Sequence, residues 1–349
     1  MLNIIKKSKR VYRDYIWRRN IKIAQKKVKA VNVDEYLVIF DTAINSENMG
    51  DYIIQYYCRN ILDEIFQEQG RVRVPTQTLP NNIELDKIAA AKYKIICGTN
   101  IMTPHIEEQT NWKMPEDLYG YHNIVTLGVG WGYYCSEISG YSKFVYNTIL
   151  DKKYLHSVRD NYTYAKFLQM GINNVVNTGC PTLWNLTENH CKTISTQKAS
   201  KVVATITDYD RNPVADTQLL NILREQYENV YVWIQGAKDY EYLCDIIDIN
   251  LVNIVPRELD AFTRLLEEGD IDYVGTRLHA GIHALNKKVR SLIIAIDNRA
   301  TEMGTDFNLP IVPRNISKEE LIELINSERI TDIHINNNEI SRWKQQFFL

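Results

Sequence analysis

Arg277 and His279 stand two positions apart in TRLHAGIHAL (276–285), directly after an apolar run that ends at Gly275. The run reads as a strand and the following residues as a helix that starts at once, so both side chains sit at a strand–helix junction. Exposed amides and the positive end of the helix dipole favour anions there, and Arg277 adds a fork suited to a carboxylate or phosphate. His279, with an ordinary pKa of about 6.5, can hold or donate a proton near neutrality. The alternative is a structural pair, since arginine and histidine near a helix start often serve packing alone. Upstream, NSENMGDYIIQYYCRNIL (45–62) places Asn48, Gly50 and Asp51 where a first strand has ended and a long helix begins. Gly50 allows close backbone approach to a ligand; Asp51 either caps the helix or takes a proton from an attacking hydroxyl.

Other chemistries find less support. His279 and His283 share one helix face, but no third ligand is evident, so no metal site is expected. GVGWG (128–132) lacks the G-x-G-x-x-G form and an acid some 20 positions on, which favours a tight substrate-lining loop over a dinucleotide site. The six cysteines are scattered without a C-x-x-C pair, as reduced thiols of a cytosolic protein would be. Cys180, next to Pro181, reads as a turn residue rather than a proton donor.

Short β-branched runs alternating with helical stretches must position these residues, the pattern of doubly wound α/β folds. One set comprises 37–44, 93–100, 123–132, 156–160 and 175–182; a second comprises 201–209, 230–236, 252–257, 272–279 and 290–297. The polar stretch TENHCKTISTQKAS (187–200) reads as the linker between them. The expected organisation is a basic helix over 1–30, a Rossmann-like domain over 31–190, and a second over 191–330. A tail over 331–349 carries Trp343, Phe347 and Phe348 and is expected to pack back on the first domain. In such open sheets ligands bind beyond the carboxyl ends of the strands, so the expected site is a cleft across which the two domains face each other.

The net charge of −2 conceals an asymmetry. Residues 1–30 hold eleven Lys or Arg against Asp14 alone, while the remainder has 30 basic residues against 42 acidic. Ile5, Tyr12, Ile16 and Ile23 recur at helical spacing within the basic segment, and Trp17 is placed to sit at headgroup level. The pattern predicts a helix lying on an anionic membrane surface, with a solvated basic tail as the alternative. Nucleic acid is not expected, because the acidic remainder offers no basic groove. No run approaches the length needed to span a bilayer and no secretory h-region is present. A cytoplasmic protein, peripheral at the inner face of the cell membrane, is the expectation.

Four motifs stand together in order: the N-x-G-D helix start, the G-x-G strand end at Gly128 and Gly130, VRD at 158–160 and TRLHAGIHAL at 276–285. In combination they resemble the polysaccharide pyruvyl transferase family over most of residues 37–314. The resemblance implies a GT-B-like fold and transfer of pyruvate from phosphoenolpyruvate to a sugar diol as a cyclic ketal, with no metal or redox cofactor. By matching motif, Arg159 and Arg277 would bind the donor's carboxylate and phosphate, Leu278 would line the same pocket, and Arg299 would touch the phosphate. His279 would be the catalytic acid, Asp51 the acceptor of the hydroxyl proton, and Asn48, Gly50 and Gly130 would lie on the acceptor side. Joined to the basic helix, this implies a lipid-linked saccharide acceptor in cell-surface polysaccharide biosynthesis, capsule or exopolysaccharide. GCPT (179–182) and IICGTN (95–100) depart from the family's usual Asp-Pro and glycine-rich runs. A nucleotide-sugar glycosyltransferase of the same architecture and a non-catalytic scaffold of a polysaccharide assembly complex are the competing readings.

Overall fold

The computed structural model describes residues 2–28 and 34–348, which divide into two compact units. The first comprises Met1–Asn45, Cys58–Asn177 and Ser341–Leu349; the second comprises Ser46–Tyr57 and Thr178–Ile340. The division therefore falls at Asn177 rather than at 190, and residues 331–340 go with the second unit. The polar stretch after it is not a free linker. Thr187 caps a short helix (Glu188–Cys191), Cys191 and Ile194 are buried, and His190 Nε2 meets the Leu285 carbonyl at 2.9 Å.

The first unit is built on parallel strands β1 (Asp34–Asp41), β2 (Gly70–Pro75), β3 (Ala91–Cys97) and β4 (Ile124–Leu127), in the order β2-β1-β3-β4. A parallel pair, β5 (His156–Val158) and β6 (Val175–Asn177), continues it through a bridge between Val129 and Val158. The inner strands read as almost unbroken apolar runs because both faces are covered, as parallel sheets require; Leu37, Val38, Phe40, Ile95, Ile96 and Leu127 are fully buried. The C-terminal helix (Asn337–Gln345) ends in this unit, where Trp343 Nε1 donates to the Thr126 carbonyl at 3.1 Å and Phe347 packs on Phe66 and Tyr154.

The second unit holds β7 (Lys201–Thr205), β8 (Asn229–Trp233), β9 (Asn253–Val255), β10 (Ile271–Gly275), β11 (Ser291–Ala295) and β12 (Ile311–Pro313). All are parallel in the order β12-β11-β10-β7-β8-β9. Counted from its own first strand this is the 3-2-1-4-5-6 order of the Rossmann fold, which reverses between β7 and β10. Chain connections run in opposite directions on either side of that pair, so a crevice opens above their carboxyl ends. The residues that close β7 and β10 are thereby assigned to it.

The N-terminal helix (Leu2–Val28) is docked on the first unit by one face: Ile21 and Ala24 are buried, and Trp17 lies 5.2 Å from Tyr141. Trp17 therefore belongs to the packing face and not to a headgroup layer, because the apolar wall around Tyr141 offers its ring a closer partner. Ile5 lies outside the side chains described. Among the described residues no helix is long and apolar enough to cross a membrane.

Candidate active site

Thr276 Oγ1 meets Thr207 Oγ1 at 2.8 Å and its amide donates to the Thr205 carbonyl at 3.0 Å, which ties the end of β10 to the end of β7. Arg277 follows as the N-cap of the helix Leu278–Asn286, but its side chain makes no capping bond and turns toward β7. Its Nε donates to the Ile206 carbonyl at 3.1 Å, and Nη2 donates to Asp208 Oδ1 at 3.0 Å and to Asp239 Oδ1. A guanidinium has five N–H donors. Three are engaged here, and the two on Nη1 have no protein partner among the described residues. The guanidinium also lies 4.9 Å from the Tyr209 ring, while Tyr209's hydroxyl accepts from Arg299 Nη2 at 2.6 Å.

Asp239 holds the cluster from beneath. Fully buried, it accepts from the amides of Asp208 at 3.0 Å, Gln235 at 3.2 Å and Gly236 at 2.7 Å, in addition to Arg277. One carboxylate thus fixes the exits of β7 and β8 and the arginine that follows β10. Arg299 is fixed locally, since Asp297 caps the helix Asn298–Phe307 and also accepts from Arg299 Nε at 2.9 Å. Burial works against the Arg299 charge, but Tyr209, Asp297 and Asp51 outweigh it and raise its pKa, so it stays a cation.

His279 lies on the first turn of its helix, 5% exposed, with Nε2 3.8 Å from the Cys180 sulfur. Leu278 is buried beside it. One turn on, His283 is bridged by Tyr57 Oη on Nδ1 and Thr263 Oγ1 on Nε2, each at 3.0 Å. Burial, with Lys287 adding to it, lowers its pKa to about 4, so His283 is neutral and both its ring nitrogens are engaged by these hydroxyls.

The N-x-G-D helix start is stitched to the end of β8. Asn48 bridges Gly236, the Met49 amide donates to the Gln235 carbonyl at 3.0 Å, and Gln235 Nε2 donates to Asn48 Oδ1 at 2.8 Å. Asn48 Oδ1 also accepts the Gly50 amide at 3.0 Å, so Asn48 is the cap of the helix Met49–Ile65. The space Gly50 leaves is used by Gln235: an added Cβ would sit 3.0 Å from its Nε2. Asp51 Oδ2 accepts from Ser46 Oγ at 2.6 Å.

In the first unit, Arg159 follows β5 and is 1% exposed. Asp160 explains the VRD spelling. Its Oδ1 caps the helix Asn161–Gln169 through the Thr163 amide at 2.7 Å, while its Oδ2 accepts from Arg159 Nε at 2.9 Å. Arg159 Nη2 donates to the Trp131 carbonyl at 3.3 Å, and Nη1 is buried with no partner among the described residues. The guanidinium lies against Gly130, where any side chain would overlap it; the glycine is required by the arginine. An enclosed cationic N–H of this kind costs roughly 1–3 kcal/mol or more unless an acceptor reaches it.

The structure thus brings Asn48, Gly50, Asp51, Arg277, Leu278, His279 and Arg299 into the second unit, and places Gly130 with Arg159 in the first. Sequence reasoning missed Asp208, Tyr209 and Asp239. The first two close β7 in KVVATITDY (201–209), where the rule of strand ends at a switch point would have found them. Asp239 opens an ordinary helix and carries no such signal.

No curated protein sequence matches this chain. Among solved structures, UDP-GlcNAc 2-epimerase of Methanocaldococcus jannaschii, in complex with UDP-GlcNAc and UDP, is similar with a TM-score of 0.50 and 13% identity, covering 90% of this chain and 98% of that one. UDP-GlcNAc 2-epimerase of Neisseria meningitidis, bound to UDP-GlcNAc, follows with a TM-score of 0.39 and 10% identity over 82% and 89% of the two chains. The likeness shows the expected fold, α/β and GT-B-like, and nothing about the reaction. The model of the polysaccharide pyruvyl transferases matches residues 48–298, from the capping Asn48 to just beyond Asp297, and the chain belongs to that family.

Proposed function

We propose that the protein transfers pyruvate from phosphoenolpyruvate to two hydroxyls of one sugar, forming a cyclic ketal and releasing phosphate, with no further cofactor. The observation that carries this reading is the placement of Arg277 and buried His279 at the switch point of the second unit, with the Nη1 edge of Arg277 not engaged by any of the described residues.

Phosphoenolpyruvate presents a carboxylate and a phosphate on one vinylic carbon, and the second unit supplies cations for both. Arg277 offers its Nη1 edge and Arg299 a second positive charge, with the Tyr209 ring against Arg277 and its hydroxyl on Arg299. Arg159, whose Nη1 needs an acceptor, is a further donor-binding residue in this reading. Leu278 lends an apolar wall beside the methylene carbon.

His279 delivers its proton to that methylene carbon, and the central carbon becomes electrophilic as the π pair moves into the new C–H bond. One sugar hydroxyl attacks, and Asp51 takes its proton. The C–O bond to phosphate then breaks with its electron pair going to the leaving group, whose charge the arginines stabilise. The second hydroxyl adds to the same carbon and its proton leaves to the phosphate or to His279. General acid catalysis of this kind is worth about 10²- to 10⁴-fold.

The acceptor in this reading is a lipid-linked saccharide of a cell-surface polysaccharide, met by a cytoplasmic protein seated peripherally on the inner face of the membrane; Asn48, Gly50 and Gly130 would line its side. The test is phosphate release from phosphoenolpyruvate across galactose-, mannose- and glucosamine-terminated acceptors, with thermal shifts against phosphoenolpyruvate and UDP. Acceptor-dependent release that His279→Ala abolishes is expected. Stabilisation by UDP alone would favour a glycosyltransferase, and stabilisation by neither a scaffold.

A further inference from the structure

The N-terminal helix has two faces, and only one is used. Ile21 and Ala24 are buried in the first unit, Gln25 Nε2 donates to the carbonyls of Leu118 at 3.0 Å and Tyr121 at 3.1 Å, and Arg18 Nη2 donates to the Gly140 carbonyl at 3.0 Å. These bonds, with Trp17 on Tyr141, fix the rotation of the helix about its axis. A row is consequently turned outward: Tyr12 is 69% exposed, Tyr15 63% and Ile23 47%. At 3.6 residues per turn these three and Arg19 fall within a sector of about 80°. Exposed Lys26 also falls within it, exposed Lys22 borders it on one side, and exposed Lys27 and Arg13 lie on the other. Asp14, the one acid in residues 1–30, lies on the docked side with Oδ1 buried.

An apolar stripe that recurs at helical spacing ordinarily marks the face a helix buries in its own protein. Here Tyr12 and Ile23 of that stripe are left outside, while a different set of residues does the docking. We propose that the outward row Tyr12, Tyr15, Ile23, with Arg13, Arg19, Lys22, Lys26 and Lys27, seats the protein on an anionic bilayer. Charge selects this occupant. Five exposed cations and no acid complement anionic headgroups, whereas a second copy of the face would meet five like charges. Tyrosine suits the boundary, with its ring among upper acyl segments and its hydroxyl in the headgroup layer.

The inference deepens the reading of a lipid-borne acceptor but is tested without it. Full-length protein is co-sedimented with phosphatidylglycerol and with phosphatidylcholine vesicles. Two variants are compared: Tyr12→Ser/Tyr15→Ser/Ile23→Ser, and Arg19→Ala/Lys22→Ala/Lys26→Ala/Lys27→Ala. All seven positions are outside the docking contacts, and circular dichroism with thermal melts checks the fold. Binding to phosphatidylglycerol that falls with salt is expected, with little binding to phosphatidylcholine. Each charge near the surface contributes about 1 kcal/mol, or roughly fivefold in partitioning, so the four-charge variant should lose at least about 100-fold. The triple serine variant should lose binding as well. Equal binding to both vesicle types, or binding that neither variant reduces, would overturn the proposal, as would a wild-type dimer that the triple variant makes monomeric. Phosphate release with a soluble acceptor is unaffected by these variants, so failure here and failure of the pyruvyl-transfer reading are distinguishable.

Discussion

Arg277 is held by two carboxylates and still has one edge to offer, which sets how its variants should behave. Arg277→Ala removes the proposed donor contact and also leaves Asp239 buried without its cation, held by three amides alone, a loss of up to roughly 3–5 kcal/mol. It should therefore lower both the melting temperature and activity. Arg277→Lys keeps the charge but not the fork. A smaller loss of stability is expected than for alanine, with a large rise in KM for phosphoenolpyruvate. His279 sits on the first turn of the following helix with its ring against the Cys180 sulfur. His279→Ala should cost about 10²- to 10⁴-fold in kcat with little change in donor affinity, as a thermal shift against phosphoenolpyruvate would measure. An equal loss of donor affinity would assign His279 to binding instead of proton transfer.

The elements explain why the motifs are spelled as they are. In VRD the aspartate caps a helix and clamps the arginine, so Asp160→Ala should remove about 1 kcal/mol of capping. It should also free Arg159, seen as a rise in KM for phosphoenolpyruvate exceeding that of Asp160→Asn, whose side-chain oxygen can still cap. Gly130→Ala should act on Arg159 too, through overlap with its guanidinium. The alternation of strands and helices was legible where a strand is a short β-branched run closed by a small or polar residue; β2 and β12, which end in Pro75 and Pro313, were not among the runs. The order of strands was not legible, since pairing of β7 with β10 joins segments some seventy residues apart. Asp239 was illegible for a related reason: its partners come from three strand exits that only the folded sheet brings together. The domain boundary was misplaced because a polar composition resembles a linker even where Thr187 starts a helix and Cys191 and Ile194 anchor it.

At the scale of the molecule, burial lowers the pKa of interior His156 and His283, and of half-buried His122, where Lys94 adds to it, to about 4 each. An unfolded chain protonates them near pH 6.5 and so binds more protons than the folded one between about 4 and 6.5. Stability is therefore full above that window and falls with acidification through it, by up to about 1.4 kcal/mol per pH unit for each histidine. Melts from pH 7.5 to 5 should show the fall; His283→Gln should make it shallower, and a melting temperature flat over that range would contradict the assignment of neutral interior histidines. The asymmetry of charge, legible at once in the sequence, acquires a direction only in the fold, where one face of the N-terminal helix docks and the basic, tyrosine-bearing face does not.

Proton delivery to the methylene carbon of phosphoenolpyruvate and the ketal formation that follows can be read in one measurement. The reaction would be run in D₂O with phosphoenolpyruvate carrying ¹³C at its central carbon, and the saccharide product read by NMR. A ketal carbon bonded to two sugar oxygens, bearing a methyl group with one deuterium, is the predicted result, absent with His279→Ala. A product that retains the vinylic methylene as an enolpyruvyl ether, or no transfer of label to any saccharide of the panel, would contradict it.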